Sequence, residues 1–519
     1  MDSELVGLGD IVRRHASRRG DAVALVHEGR STTYRQLDGA ANRVAQALIA
    51  EGIGPGTRIA HLDKSSDLYF ELLFGVAKAN AVMVSVNWRL APPEVLHIVN
   101  DAEAEILFVG EDFFPVIDKI RDQLRMVRRI VSLSGSHPGW DPYATWRDRH
   151  PDRDPHLPAS PSDTAVQFYT SGTTGLPKGA ELTNANFAAL FREWPRSWRM
   201  KPGTRTIVCL PMFHIGGAGW GLVGLYAGAV NHVVREFVPA QILDIIQRER
   251  IEVILLVPAM ILFLVQAPQI RETDLSSLEL IVYGASPIPA ELLKQAMAVF
   301  GCGFQQVYGL TETTGAVTLL PAEDHDPADA RKLLSCGYAQ KEVELRIVDA
   351  NGRELPAGEV GEIAIRSSQV MAGYWKLPEA TGRAINGDWF LSGDAGYLDD
   401  KGYLYIHDRV KDMIVSGGEN IYPAEVESAL FGHPAVADVA VIGVPDERWG
   451  EAVKAIVVRK PDAAVTAGEL IEWARARIAG YKLPKSIDFI DALPRNPTGK
   501  ILKRELRKAY WADQERQIN

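Results

Sequence analysis

Cysteine is scarce in this sequence. Cys209, Cys302 and Cys336 are the three in 519 residues, an odd number with no C-x-x-C pair. That argues against a disulfide framework or a cysteine zinc site and fits a reducing, cytoplasmic setting. An excess of positive charge is also missing: 56 Lys and Arg stand against 66 Asp and Glu, a formal net charge of −10. A general nucleic-acid surface needs a basic footprint and is not expected, although local lysines can still grip an anion. The first residues, M-D-S-E-L-V-G-L-G-D, are partly acidic and lack a long apolar run, so no secretory signal is expected there.

Long hydrophobic runs are almost absent. Residues 212–234 form a 23-residue stretch without Asp, Glu, Lys or Arg, long enough to span a bilayer. It carries six glycines, two histidines and an asparagine, which makes it a poor lipid-facing helix. Residues 253–270 are also uncharged, but Pro258 and Pro268 divide them. There V-I-L-L-V reads as a buried strand and Pro258 as the first residue of a helix. Both stretches are expected inside a large α/β core, with no transmembrane segment. Peripheral membrane contact and a homodimer stay open.

The chain is too long for one hydrophobic core, so two or more domains are expected. The first third alternates helical and strand patterns. Residues 34–51 place Leu37, Ala41, Val44, Ala45 and Leu48 at helical spacing, and G-I-G-P-G then breaks the pattern. R-I-A-H-L and A-V-M-V-S-V read as strands on either side of a helix over 68–79. The pattern recurs through V-C-L-P, V-I-L-L-V-P and L-I-V-Y-G, which argues for parallel sheets covered by helices. After about residue 340, alternating strands with an N-G turn predict a β-rich subdomain reaching to about 410. The charged stretch H-D-R-V-K-D follows, and beyond it about 107 residues mix strands and helices, enough for a small α+β domain. The boundary is placed at Lys411, between a domain of 1–410 and one of 411–519.

Residues 169–179 read Y-T-S-G-T-T-G-L-P-K-G, after a strand over 165–170 and before a helix with Asn184 as its N-cap. Glycines let successive backbone N–H groups face one anion, hydroxyls add donors, and Lys178 adds a point charge suited to phosphate. The order of residues is not the G-x-x-x-x-G-K-[ST] loop. By itself the stretch is as consistent with a plain surface loop as with a phosphate grip.

It does not stand by itself. P-M-F-H (211–214), Y-G-A-S (283–286), Y-G-L-T-E-T (308–313) and M-A-G-Y-W-K-L-P-E-A-T (371–381) follow. Then come W-F-L-S-G-D (389–394), D-R-V-K-D (408–412), G-G-E-N-I-Y-P-A-E-V-E (417–427) and P-R-N-P-T-G-K-I-L-K-R (494–504). Taken in this order, the blocks resemble those of the adenylate-forming superfamily, in its AMP-forming acyl-CoA synthetase branch. The resemblance covers nearly the whole chain. It implies a large N-terminal domain of two parallel-type sheets sandwiched with helices plus the β-rich subdomain, and a small mobile C-terminal lid hinged at Lys411.

The reaction implied joins a carboxylic acid to ATP, releases pyrophosphate, and passes the acyl group from AMP to coenzyme A. The resemblance makes Lys500 the lysine bridging the acid and the α-phosphate. Glu312 supplies an oxygen for Mg2+, and Thr311 lies beside it on the α-phosphate. Thr170, Ser171, Gly172, Thr173, Thr174, Gly175 and Lys178 hold the β- and γ-phosphates. Gly284, Ala285 and Ser286 shape an adenine slot against Tyr308 and Gly309, while Asp394 and Arg409 take the ribose. His214, Gly216, Gly217, Trp220 and Gly315 are expected at the acyl pocket, with Trp220 either lining that channel or packing in the core. Gly417 and Gly418 line the tunnel for coenzyme A. No acidic residue occurs between Leu210 and Val234, which disfavours an amino-acid substrate. A medium- or long-chain fatty acid is the first expectation; an aryl acid, a steroid side-chain acid or loading of a carrier protein are the alternatives.

Overall fold

The computed structural model describes residues 5–170, 177–329, 331–409, 412–416, 419–446, 448–461, 463–495 and 499–511. The expected alternation of strands and helices builds two large sheets. In one, strands Gly303–Leu310, Leu280–Gly284, Val253–Leu256, Arg205–Val208, Val230–Val233 and Val23–His27 lie side by side and parallel. Antiparallel strands Gly315–Leu320 and Arg30–Thr33 flank that parallel block. In the other, Thr164–Thr170, Val82–Ser85, Arg58–Leu62, Ile106–Val109 and Arg129–Ser132 run parallel. Strand Lys178–Thr183 turns back antiparallel on Thr164–Thr170, and the short strand Gly373–Tyr374 closes that edge. Val253–Leu256 and Leu280–Gly284 are buried along their whole length, as a parallel sheet covered on both faces requires.

The local rules behind these elements are visible. Thr33 caps helix Tyr34–Ala50 through a reciprocal pair with Gln36. Pro258 opens helix Pro258–Gln266, where its missing N–H costs nothing. The N-cap expected at Asn184 belongs instead to Thr183, whose hydroxyl accepts from the Asn186 amide at 3.2 Å. The Asn184 side-chain oxygen accepts from the Leu8 amide at 3.3 Å, tying the start of the chain to this helix. The uncharged run 212–234 becomes helix Ile215–Ala227 and strand Val230–Val233, both inside the core. Among the described residues no helix is long and apolar enough to cross a membrane.

Strands Val343–Val348, Gly361–Ser367, Trp389–Leu398 and Leu404–Arg409 form a third, antiparallel sheet in the region where the β-rich subdomain is expected. A fourth sheet holds Gly450–Arg459 between Val436–Asp446 and Ser486–Phe489. It buries its own apolar cluster, including Val426, Val441, Val457 and Leu470, under helices Pro423–Phe431 and Ala467–Arg475. Lys411 lies outside the described residues.

Five histidines are held neutral by burial. It pushes His15, His214 and His232 down to about 4 and His61 to about 3, from an ordinary 6.5, and it lowers His325 as well. Between pH 6.5 and 4 the unfolded chain therefore binds protons that the folded chain refuses, so stability is lost as pH falls through that window. Asp63, pushed up to about 6 by burial, acts in the opposite sense but is one group against five. The melting temperature is expected to fall between pH 7 and pH 5, and His61→Gln should flatten the slope; a midpoint that holds or rises over this range would contradict the assignment.

Candidate active site

Strands Leu280–Gly284 and Gly303–Leu310 are parallel neighbours, so their carboxyl ends open on the same side of the sheet, where ligands of such sheets bind. A Cβ on Gly284 would sit 2.2 Å from the Val307 carbonyl oxygen, so only glycine lets the two strand ends approach this closely. Ala285 follows in the left-handed region, at φ 68°. Tyr308 is buried beneath, and its hydroxyl donates to Asp394 Oδ2 at 2.8 Å. Burial, and then the Asp394 charge, lift the Tyr308 phenol well above its ordinary range, so it stays a donor. Asp394 comes from the third sheet, where it faces Arg409 across the ladder. Tyr308, Asp394 and the backbone of Arg409 are thus brought together from two sheets.

Past Gly309 the chain turns sharply. A Cβ there would lie 1.9 Å from the Gly315 carbonyl oxygen. The turn Thr311–Thr313 is pinned by Thr313 Oγ1 on the Gly315 carbonyl at 2.7 Å. Gln369 Nε2 donates to the carbonyls of Thr313 and Ala316 at 3.2 and 2.8 Å. This holds Glu312, 8% exposed, with Oε1 accepting from the Tyr374 hydroxyl at 2.9 Å. Tyr374 also presents its ring 4.9 Å from Lys178 Nζ. Thr170 and Lys178 pair across the hairpin whose connection carries Ser171, Gly172, Thr173, Thr174 and Gly175; those five lie outside the described residues.

His214 precedes helix Ile215–Ala227, with its ring 4.5 Å from that of Phe213. Its Nε2 has no hydrogen-bond partner among the described residues, and burial keeps the ring neutral, with the Arg89 charge adding to that. Trp220 is a core residue: its indole N–H donates to Thr206 Oγ1 at 2.9 Å, and its ring packs 5.0 Å from Trp198. Gly217 is spent on packing, since a Cβ would meet the Pro211 carbonyl at 2.3 Å. At Gly216 a Cβ would crowd Leu210 at 3.1 Å, whereas at Gly315 it would meet Ile215 and Leu190 only at 3.7 and 3.9 Å.

A Cβ on Gly499 would touch Ala259 at 3.1 Å and Val257 at 3.4 Å, so Gly499, next to Lys500, lies against the start of helix Pro258–Gln266. Gly417 and Gly418 lie outside the described residues. The sequence reading gave Tyr374 and Gln369 no role. Tyr374 sat inside a recognised block, but its partners are 62 and 196 positions away and leave no local pattern.

Fold and site together define an ATP-using ligase that activates a carboxylic acid as its acyl-AMP. The AMP-binding enzyme family matches residues 12–375, its C-terminal domain matches residues 425–500, and the chain belongs to that family as an acid–thiol ligase. The chain is 41% identical to the fatty acid–[acyl-carrier-protein] ligase ScoC of Streptomyces coeruleorubidus, over 97% of this chain and 96% of that protein. It is 38% identical to the long-chain-fatty-acid–CoA ligase FadD13 of Mycobacterium tuberculosis (strain CDC 1551 / Oshkosh), over 92% and 93%. Among solved structures, the anthranilate CoA ligase AuaEII in complex with anthranoyl-AMP superposes with a TM-score of 0.93 at 30% identity, covering 98% of both chains.

The Gly309 turn yields a test. Gly309→Ala must push the Gly315 carbonyl away and displace Glu312, so acid-dependent pyrophosphate exchange should drop at least ~10-fold, the scale of a misplaced catalytic group. Exchange at the wild-type rate in a folded variant would mean that this turn does not set the site.

Proposed function

We propose that the protein converts a medium- or long-chain fatty acid to its acyl-CoA thioester through acyl-AMP. The observation that carries this reading is the convergence of Lys178, Glu312 and the Tyr308–Asp394 pair where three sheets meet. The names of the fatty-acid ligases ScoC and FadD13 support the acid class. The stretch between Leu210 and Val234 holds no acidic residue, which supports an acid without an ammonium group.

The obstacle in the first step is charge. A carboxylate has to reach the α-phosphate of a polyanion, and two like unit charges 4 Å apart repel by about 4 kcal/mol at an effective dielectric of 20. Lys500 supplies the positive charge at that meeting point, next to Gly499, which lies against Val257 and Ala259. Lys178, with Thr170, Ser171, Thr173, Thr174 and the glycines between them, holds the terminal phosphates. Gly284, Ala285 and Ser286 form the wall of the adenine slot, Tyr308 stacks on the base, and Asp394 with Arg409 takes the ribose.

Glu312 fits one protein oxygen in a magnesium shell, since such ions use one or two carboxylates plus substrate phosphates. It is buried and oriented by Tyr374, and among the described residues no cluster of three ligating side chains competes with it. Magnesium bound there would offset phosphate charge as pyrophosphate leaves. Thr311 lies on the α-phosphate side of the same turn. For the second step the small domain, residues 411–519, pivots at Lys411. That withdraws Lys500 and brings Gly417 and Gly418 to the thiol of coenzyme A.

A second reading changes only the acceptor. ScoC, by name, loads an acyl carrier protein. Offering coenzyme A and a holo carrier protein in parallel, with AMP release followed over fatty, aryl and steroidal acids, separates the two. Turnover with fatty acids and coenzyme A is expected; turnover confined to the carrier protein or to aryl acids would replace the first reading. Lys500→Ala should slow acyl-AMP formation at least ~10²-fold, the scale of losing one charge-stabilising donor, and largely spare thioester formation from supplied acyl-AMP. Equal damage to both half-reactions would remove Lys500 from its role.

A further inference from the structure

The segment from Met371 to Trp375 is a strap between two parts of the site. The Met371 amide donates to the Glu312 carbonyl at 2.8 Å, and the Ala372 amide to the Glu181 carbonyl at 3.0 Å. Gly373 and Tyr374 pair with Glu181 and Ala180, and the Trp375 amide donates to the Gly179 carbonyl at 2.7 Å. One end of the strap thus holds the Glu312 turn and the other holds the strand that begins at Lys178. Tyr374 is fixed from both sides. Its amide donates to Thr381 Oγ1 at 2.9 Å, while the neighbouring Trp375 indole donates to the Asp101 carbonyl at 2.9 Å and lies 3.4 Å from the Arg58 guanidinium.

We propose that Tyr374 is a positioning residue for the phosphate end of the nucleotide: its hydroxyl orients Glu312, its ring seats Lys178, and together they preset the gap that a metal-bound triphosphate enters. This rests on the reading of Glu312 as the metal carboxylate. A phenol donating to a carboxylate makes a charge-assisted bond that occupies one lone pair of Oε1 and leaves Oε2 for a cation. A lysine within 6 Å of a ring face gains from its quadrupole, which holds the ammonium on the same side as the carboxylate. Glu312 and Lys178 are thereby fixed before any ligand arrives, so binding does not have to order them.

The test is a calorimetric titration of ATP, with Mg2+ and with chelator, into wild type, Tyr374→Phe, Glu312→Gln and the double variant. Phe keeps the ring under Lys178 and removes only the hydroxyl. Wild type should bind ATP more tightly with Mg2+. In Y374F that gain should shrink about tenfold, the lower range for one hydrogen bond to a charged group, while metal-free ATP binds as before. The double variant should match E312Q alone, because the hydroxyl acts through that carboxylate. In steady state the KM for MgATP should rise more than kcat falls. An unaltered gain in Y374F, an equal loss in metal-free ATP, or additive effects in the double variant would overturn the role of Tyr374 alone. A wild type whose ATP affinity ignores Mg2+ would overturn the reading of Glu312 with it.

Discussion

Backbone hydrogen bonds donated by Met371, Ala372 and Trp375 fix the spacing on which the site depends. Glu312 sits on a turn at the edge of the nine-stranded sheet, whereas Lys178 begins a strand of the eight-stranded one. Separate sheets can slide by an ångström without losing their cores, and such a displacement is enough to disable a catalytic arrangement. The strap removes that freedom because its amides bond to both elements in adjacent positions. The Tyr308–Asp394 bond does the same between the nine-stranded sheet and the antiparallel third sheet. Three sheets therefore meet through a few directional bonds at one place, and that place is the site.

The two sides of the site differ in electrostatic character. One side gathers Lys178, Glu312 and Asp394, each held by an aromatic partner that limits its motion. On the other side burial leaves the His214 imidazole neutral, and the nearby Arg89 charge adds to that. The Trp194–Trp198–Trp220 stack closes the core behind helix Ile215–Ala227, with ring centroids 4.8 and 5.0 Å apart. The helix glycines bring that core close to the site; they do not open a space in it.

Much of the fold was legible because it follows from local periodicity. Helix Tyr34–Ala50 and strands Arg58–Leu62 and Val253–Leu256 lie where apolar spacing puts them, and Pro258 marks its helix start. The cap at Thr183 was missed by one residue because Thr and Asn are both good caps, and the choice lay with Leu8, far away in sequence. Trp220 could not be placed from its neighbours, since its hydrogen-bond partner Thr206 lies on another element. In the site, ordered blocks pointed to the nucleotide residues, yet Tyr374 and Gln369 act through distant partners and carry no spacing signal. The phosphate loop, Lys411 and the Gly417–Gly418 pair fall outside the described residues.

Ala285 holds a left-handed backbone at the rim of the slot proposed for adenine, a conformation that costs a residue with a Cβ on the order of 1 kcal/mol or more. Relieving it with glycine would look attractive to anyone seeking a hardier catalyst. Yet glycine would also widen the range of shapes open to the turn in the unliganded protein and enlarge the entropy lost on capturing a nucleotide. The rim thus marks a position where endurance and affinity pull in opposite directions, and where consensus-style hardening of the chain would be expected to weaken its grip.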